Sequence, residues 1–93
     1  MNFGVSTSCF YPDLLENSAK RIAKMNIPFT EVFFNSFSEV KKEYLLKLKG
    51  ILGDTKALSI HPFSSGFETF MLFSDYERRA DDLIELYKYY FDA

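Results

Sequence analysis

Glu31 and His61 are the side chains of this sequence best suited to acid–base or metal chemistry, and each lies in a short extended segment. His61, the only histidine, directly precedes Pro62. A neutral imidazole at a strand end can ligate a divalent metal or relay a proton near neutral pH, and a carboxylate facing a protein interior can act as a general base or orient a metal. The alternatives are a histidine hydrogen-bonded at a strand end and a glutamate facing solvent on an edge strand.

Small polar side chains accompany these two residues. Strand alternation places Ser6 and Ser8 on one face of the first extended segment, and Asn35 on the same face as Glu31. These side chains can hydrogen-bond a polar ligand or simply fill a narrow interior. Aromatic residues that follow Pro62 can cover the apolar side of a ligand or pack onto the next helix, and they are Phe63, Phe67, Phe70 and Phe73.

Three strands are predicted to position these residues, at 3–8, 29–35 and 56–61, because apolar and polar side chains alternate there. In the third strand, Leu58 and Ile60 are expected on one face. The opposite face is expected to carry Ala57, Ser59 and His61. Each strand therefore pairs an apolar face with a second face, and the second face is largely polar.

Helices are predicted between and after the strands, at 13–25, at 36–52 and from Ser74 onward, because apolar residues recur there at helical spacing. The third helix has a predicted apolar stripe of Ala80, Leu83, Ile84, Tyr87 and Phe91. The expected end signals are Asp13 as an N-cap, Asn26 as a left-handed terminator, Gly53 as a stop and a capping box of Ser74 with Glu77.

The composition is that of a folded segment, since 47% of the 93 residues are hydrophobic and 26% are charged. A net charge of -2 lacks the basic excess typical of nucleic-acid binders. Cys9 is the only cysteine, so it forms no internal disulfide, and no second histidine or orienting group makes it a convincing nucleophile. No membrane span, secretory signal or glycine-rich phosphate loop is recognisable, which predicts a cytoplasmic protein.

The order of elements predicts an α/β fold of three consecutive β-α units in one segment, 1–93, with parallel strands 1-2-3 and no internal boundary. A doubly wound sheet buries both faces and makes its strands almost continuously apolar. The polar second face favours instead the first part of a (β/α)8 TIM barrel, with helices on the outer face and polar side chains turned inward. Such a barrel has about 31 residues per unit, and three units account for about 93 residues.

The chain resembles the xylose isomerase-like barrels, a family that includes sugar phosphate isomerases and epimerases and the endonuclease IV group. The opening Gly4-Val5-Ser6-Thr7 is similar to the family's first strand, and residues 20–32 are similar to its first helix, turn and second strand, with Glu31 on the strand-two glutamate. Residues 59–62, Ser-Ile-His-Pro, are similar to the third-strand motif that ends in a histidine at the barrel mouth. Asn26 stands where the family usually has glycine, a turn position that asparagine also tolerates.

The resemblance implies the N-terminal fragment of a metal-dependent sugar or sugar-phosphate isomerase or epimerase that moves a proton next to a carbonyl. Glu31 and His61 would have supporting catalytic roles, His61 would be a possible metal ligand, and the expected sugar contacts are Ser6, Ser8, Asn35, His61 and Phe63. The family's metal-binding carboxylates lie on later strands, so the divalent metal (Mn, Mg or Zn) is expected in the full-length parent and not tightly bound to these residues alone.

Two other functions remain open at this stage. One is a fragment of an endonuclease IV-like zinc enzyme, which would need a basic groove that this acidic chain does not supply. The other is a small, non-catalytic α/β module that acts by self-association. The expected partner is a small-molecule sugar in the parent, with no nucleic acid favoured and no membrane. Self-association or aggregation is expected for the chain alone.

Overall fold

A computed structural model describes residues 3–62, 68 and 71–93. Its sheet consists of three parallel strands that lie side by side in sequence order. The strands are β1 (Gly4–Ser6), β2 (Phe29–Phe33) and β3 (Lys56–His61), and each pairs in parallel with its neighbour in sequence. A helix connects each strand to the next. The predicted α/β fold with parallel strands in sequence order is therefore confirmed.

The helices are α1 (Leu15–Lys24), α2 (Lys42–Leu52) and α3 (Glu77–Asp92). Two 3-10 helices, Thr7–Phe10 and Phe37–Val40, occupy segments predicted as strand and as α-helix. The first strand is shorter than expected because the Ser6 side chain accepts a hydrogen bond from the Ser8 N–H and starts a turn. The helix predicted at 36–52 is divided because Lys41 has an extended backbone.

Two helix ends follow the sequence signals and two do not. Asn26 and Gly53 both have a φ of 56°, as expected for residues that end a helix in the left-handed region. The N-cap prediction for Asp13 was wrong, because Leu14 precedes the first helical turn and Asp13 instead pairs with Arg21 at 3.2 Å.

The capping box of Ser74 with Glu77 was also wrong. The residue preceding α3 is Tyr76, which makes no side-chain capping bond. Ser74 Oγ accepts instead from the Tyr76 N–H at 3.2 Å and from the Arg79 guanidinium at 2.9 Å. The serine therefore orders the turn ahead of the helix without capping it.

The core lies on one side of the sheet, between β2 and the three helices. Thr30, Val32 and Phe34 are buried there, whereas Glu31 and Phe33 between them are only half-buried. The buried cluster consists of Leu15, Ala19, Val32, Phe34, Leu48, Leu52 and Tyr90, from all three helices and from β2 with its continuation. Helices thus cover one face of the sheet at β2, and the alternate residues Glu31 and Phe33 lie on the other face.

The buried side of α3 matches the predicted stripe only in part. Leu83 and Tyr90 are each 3% exposed, and Tyr87 packs against the core. Ile84 and Phe91 of the predicted stripe are instead exposed, Phe91 by 85%. The helix is apolar on more than one side, so its neighbours, and not its own spacing, decide which side is buried.

A β-bulge in β3 changes the phase of its side chains. Ala57 aligns with Thr30, but Ser59 aligns with Glu31, so Leu58 is the extra residue between them. The expected face of Ser59 and His61 is retained, whereas Ala57 aligns with the buried face of β2, contrary to the prediction. All six residues of β3 are exposed, Leu58 by 67%.

Among the described residues, none of the helices has the length and apolar character needed to cross a lipid bilayer.

Candidate functional site

A row of polar side chains crosses the uncovered face of the sheet. Ser6 aligns with Glu31, and Glu31 aligns with Ser59, so the three strands each contribute one residue to the row. One step towards the carboxyl ends of the same strands, Phe33 aligns with His61. We call this surface the open sheet face, and its members are Ser6, Glu31, Phe33, Ser59 and His61.

The carboxylate of Glu31 is oriented by its neighbour on β3. Ser59 Oγ donates a hydrogen bond of 2.9 Å to Glu31 Oε2. This contact holds the carboxylate above the middle strand, and its other oxygen has no hydrogen bond among the described residues. A fixed carboxylate with an accessible oxygen can accept a hydroxyl proton or a hydrogen bond from a ligand.

Two contacts fix the orientation of the His61 imidazole, one on a ring face and one at a ring edge. It stacks on the Phe33 ring at 4.2 Å between centroids and 17° between planes. Its Nδ1 lies 2.9 Å from the Pro62 carbonyl oxygen, and because that oxygen can only accept, Nδ1 must carry the proton. In the neutral ring, Nε2 is then the nitrogen with a lone pair, available to bind a metal or to accept a proton.

The other predicted polar contacts surround the carboxyl ends of β1 and β2. Ser6 Oγ and Ser8 Oγ are 2.8 Å apart, so the two hydroxyls form one linked pair beside the row. Asn35 follows β2, and its backbone N–H donates to Glu39 Oε1 at 2.6 Å. The Ser36 N–H donates to the same oxygen at 3.2 Å, which fixes the turn that carries Asn35.

Two buried threonines fix the positions of the strands beneath the site. Thr30 Oγ1 donates to the Val5 carbonyl at 2.7 Å, and Thr7 Oγ1 accepts from the Phe33 N–H at 2.9 Å. Gly4 allows β1 to lie close to β2, because a Cβ at this position would come within 2.6 Å of the Phe29 carbonyl oxygen. The close pairing of these strands brings Ser6 next to Glu31.

The space over the polar row is a shallow groove of about 230 Å3, lined by residues that include Ser6, Glu31 and Ser59. It is smaller than the roughly 300–1,000 Å3 of typical small-molecule pockets. Phe63, Phe67 and Phe70, expected to wall this site, lie outside the described residues. Phe73 is described and is 78% exposed. The described residues therefore form an open, shallow groove and not an enclosed pocket.

The described residues supply only part of the ligand set that a metal ion needs. The part of the chain that is described contains no group of three or more His, Cys, Asp or Glu side chains that could bind one ion. A structural or catalytic zinc site has three or four ligands. His61 offers one lone pair through Nε2, so it could complete a coordination sphere but not form one by itself.

Sequence reasoning singled out Glu31 and His61 as candidates but missed the contact partner of each. Ser59 and Phe33 were placed on the correct faces, yet neither was expected to hold Glu31 or His61. The available signal was that Ser59 precedes His61 by two residues on one strand, as Glu31 precedes Phe33 on the next. Matching these two pairs across the sheet predicts both contacts.

Comparisons of this chain with protein families, curated proteins and solved structures found no match.

Proposed function

We propose that this chain forms the first three β-α units of a metal-dependent sugar or sugar-phosphate isomerase or epimerase barrel. The observation that carries the proposal is the open sheet face, where Glu31, oriented by Ser59, and His61, oriented by Phe33 and Pro62, lie on one side of parallel strands. Reactions in barrel enzymes take place at the carboxyl ends of the strands. His61 and the Ser6–Ser8 pair lie at that end.

Each group has a role in this proposal that its geometry allows. His61 Nε2 binds a sugar oxygen or a metal, and the Glu31 carboxylate accepts a hydroxyl proton or supports a metal ligand. The hydroxyls of Ser6 and Ser8, with the Asn35 amide, hydrogen-bond the sugar. A divalent metal, when bound in the complete barrel, would polarise the two sugar oxygens next to the transferred hydrogen.

The sheet also supports a barrel that continues beyond β3. Both faces of β3 are exposed, and among the described strands it pairs only with β2. A further parallel strand would satisfy the free edge, and closure would enclose the open sheet face. In this proposal the side chains that complete the metal site come from such strands.

The test begins with the DNA beyond codon 93. The proposal predicts a reading frame that encodes further β-α units with carboxylates and histidines at strand ends. The longer polypeptide, loaded with Mn or Mg, is then incubated with ketoses and ketose phosphates in D2O, and NMR follows deuterium entering the carbon next to the carbonyl. Exchange that depends on the protein and the metal is the expected result.

Matched variants connect that activity to the open sheet face. E31Q and H61Q should each lower kcat/KM at least about tenfold, as expected when a group that contacts the substrate is lost. K20Q, at an exposed position on α1, should have no effect. A folded, metal-loaded polypeptide without exchange on any sugar, or full activity in both E31Q and H61Q, would overturn the proposal.

A second candidate is a non-catalytic module that self-associates through β3. The observation in its favour is the exposure of all six residues of this strand, because an open edge can pair with another copy. Analytical ultracentrifugation of the 93-residue chain should then show a defined dimer, which L58K should dissociate and K20E should not. A monomer at all concentrations, or a dimer that L58K leaves intact, would contradict this candidate.

A further inference from the structure

A groove of about 880 Å3 lies between α2 and α3, on the helical side of the molecule. Its lining is mainly apolar, and Leu46 and Tyr89 on its two sides are 62% and 64% exposed. Leu45 and Leu86 also line it and pack against the core. An apolar groove left open between two helices can serve as a binding site.

The charges along the groove are mainly positive. Among the described residues that line it, Lys41, Lys42 and Lys49 are basic and Asp92 is the one acidic side chain. The whole chain has the opposite sign, with a net charge of -2. Within the described ranges, none of the three lysines forms an ion pair. The groove therefore presents a local positive charge to an anionic partner.

The spacing of the lysines specifies how the negative charges of that partner are arranged. Lys42 and Lys49 are seven residues apart on α2, which places them two turns apart on one side of the helix, separated by about 10.5 Å. Leu45 and Leu46 lie between them. The side of α2 that lines the groove is thus basic at both ends and apolar in the middle.

We propose that this groove binds an acidic amphipathic helix of a partner protein. Such a helix can place apolar side chains over Leu46 and Tyr89, and carboxylates at i and i+7 beside Lys42 and Lys49. A lipid or fatty acid has one anionic head and would reach the lysines at one end only. The proposal is independent of the isomerase function, because the groove involves none of the open-sheet-face residues.

The experiment titrates the 93-residue chain into a fluorescein-labelled peptide of about fifteen residues, with a leucine stripe and glutamates seven positions apart, and follows anisotropy. A scrambled peptide of the same composition and a peptide with lysine in place of glutamate serve as ligand controls. The protein variants are K42E/K49E and L46D, with K20E/K24E on α1 as the matched charge control. Circular dichroism checks that every variant retains the helix content of the original chain.

The expected result is saturable binding of the amphipathic acidic peptide, weakened about tenfold by K42E/K49E through the loss of two exposed ion pairs. L46D should weaken it similarly, and K20E/K24E should not. Absence of binding, equal binding of the scrambled peptide, or equal effects of the two lysine pairs would overturn the proposal. Binding to vesicles of anionic lipid, but not to the peptide, would also overturn it and assign the groove to a membrane surface.

Discussion

Tyr44 donates a hydrogen bond of 2.7 Å from its hydroxyl to Glu16 Oε2, joining α2 to α1 across 28 residues of sequence. Both side chains are half-buried, at the edge of the core. A hydrogen bond to a carboxylate is stronger than one between neutral groups, although nearby water weakens it. The contact therefore fixes the relative position of the two helices that cover β2.

Replacing Tyr44 by phenylalanine should lower the free energy of unfolding by about 0.5–1 kcal/mol, because one partly exposed hydrogen bond is lost and Glu16 can still be hydrated. Urea denaturation followed by circular dichroism measures the change. Tyr89→Phe is the matched control, since Tyr89 is exposed and no side-chain hydrogen bond is described for it. Equal changes in the two variants would show that the Tyr44 hydroxyl does not stabilise the helix pair.

The same contact predicts acid sensitivity. The hydrogen bond from Tyr44 lowers the pKa of Glu16 below its ordinary value of 4.5, so the folded state favours the ionised form. The unfolded state binds more protons between the folded and unfolded pKa values, and stability therefore rises with pH across that window. The contribution is complete above pH 4.5 and is lost as the pH falls through the folded pKa. Urea titrations at a series of acidic pH values should show this loss, and Tyr44→Phe should reduce it.

Stability should fall at alkaline pH because of Tyr44, whereas Glu16 makes stability rise with pH in the acidic range. Burial, and then the hydrogen bond to Glu16, raise the pKa of Tyr44 above its ordinary value of 10.0. The folded state therefore holds the phenolic proton more tightly than the unfolded state, and stability falls as the pH rises above 10.0. Absorbance at the tyrosinate band should show at least one of the six tyrosines ionising only on unfolding. Ionisation of all six before unfolding would contradict the prediction.

Gly4 and Gly50 provide a matched pair for testing strand packing. Gly4→Ala should destabilise the protein by about 1–3 kcal/mol, because its Cβ would collide with the Phe29 main chain. Gly50→Ala should stabilise it by about 0.5–1 kcal/mol, because an added Cβ meets nothing within 4 Å and alanine favours a helix. Thermal and urea unfolding should show opposite signs. Stabilisation by Gly4→Ala would mean that β1 does not approach β2 closely at Gly4.

Leu83 and Phe91 test which side of α3 is buried. Leu83→Ala should cost about 2–5 kcal/mol, because a buried side chain leaves a cavity in the core. Phe91→Ala should change stability by less than about 0.5 kcal/mol, because Phe91 is exposed. Equilibrium unfolding in urea compares the two. A larger loss for Phe91→Ala would contradict the packing described.

The face of β2 that the helices cover could be predicted from the sequence, because the alternation of side chains that marks it lies within a single strand. Val32 and Phe34 alternate with Glu31 and Phe33, and this alternation alone separates the buried face from the exposed one. The bulge at Leu58 could not be predicted in this way. It arises from the register between β2 and β3, and the sequence of β3 alternates without any sign of an extra residue.

The candidate site, too, could be predicted from the sequence only in part. The common face of Ser6, Glu31 and His61 follows from strand periodicity, which acts along one strand at a time. The contacts that orient Glu31 and His61 run between strands, so they depend on register and side-chain rotamers. Part of the buried side of α3 was mispredicted for a related reason, since apolar residues such as Ile84 and Phe91 give the helix more than one apolar side.

The division of β2 between a helix-covered side and an open side separates the residues that stabilise the fold from those that face outward. Val32 and Phe34, on β2 and its continuation, stabilise the fold. Glu31 on β2 and His61 at the end of β3 contribute little to the core. Under the proposed function, exchanging an open-side residue would remove a ligand contact without creating a cavity. Few substitutions would then suffice to change the ligand while the scaffold is retained, so evolution or a protein engineer could alter this surface one residue at a time.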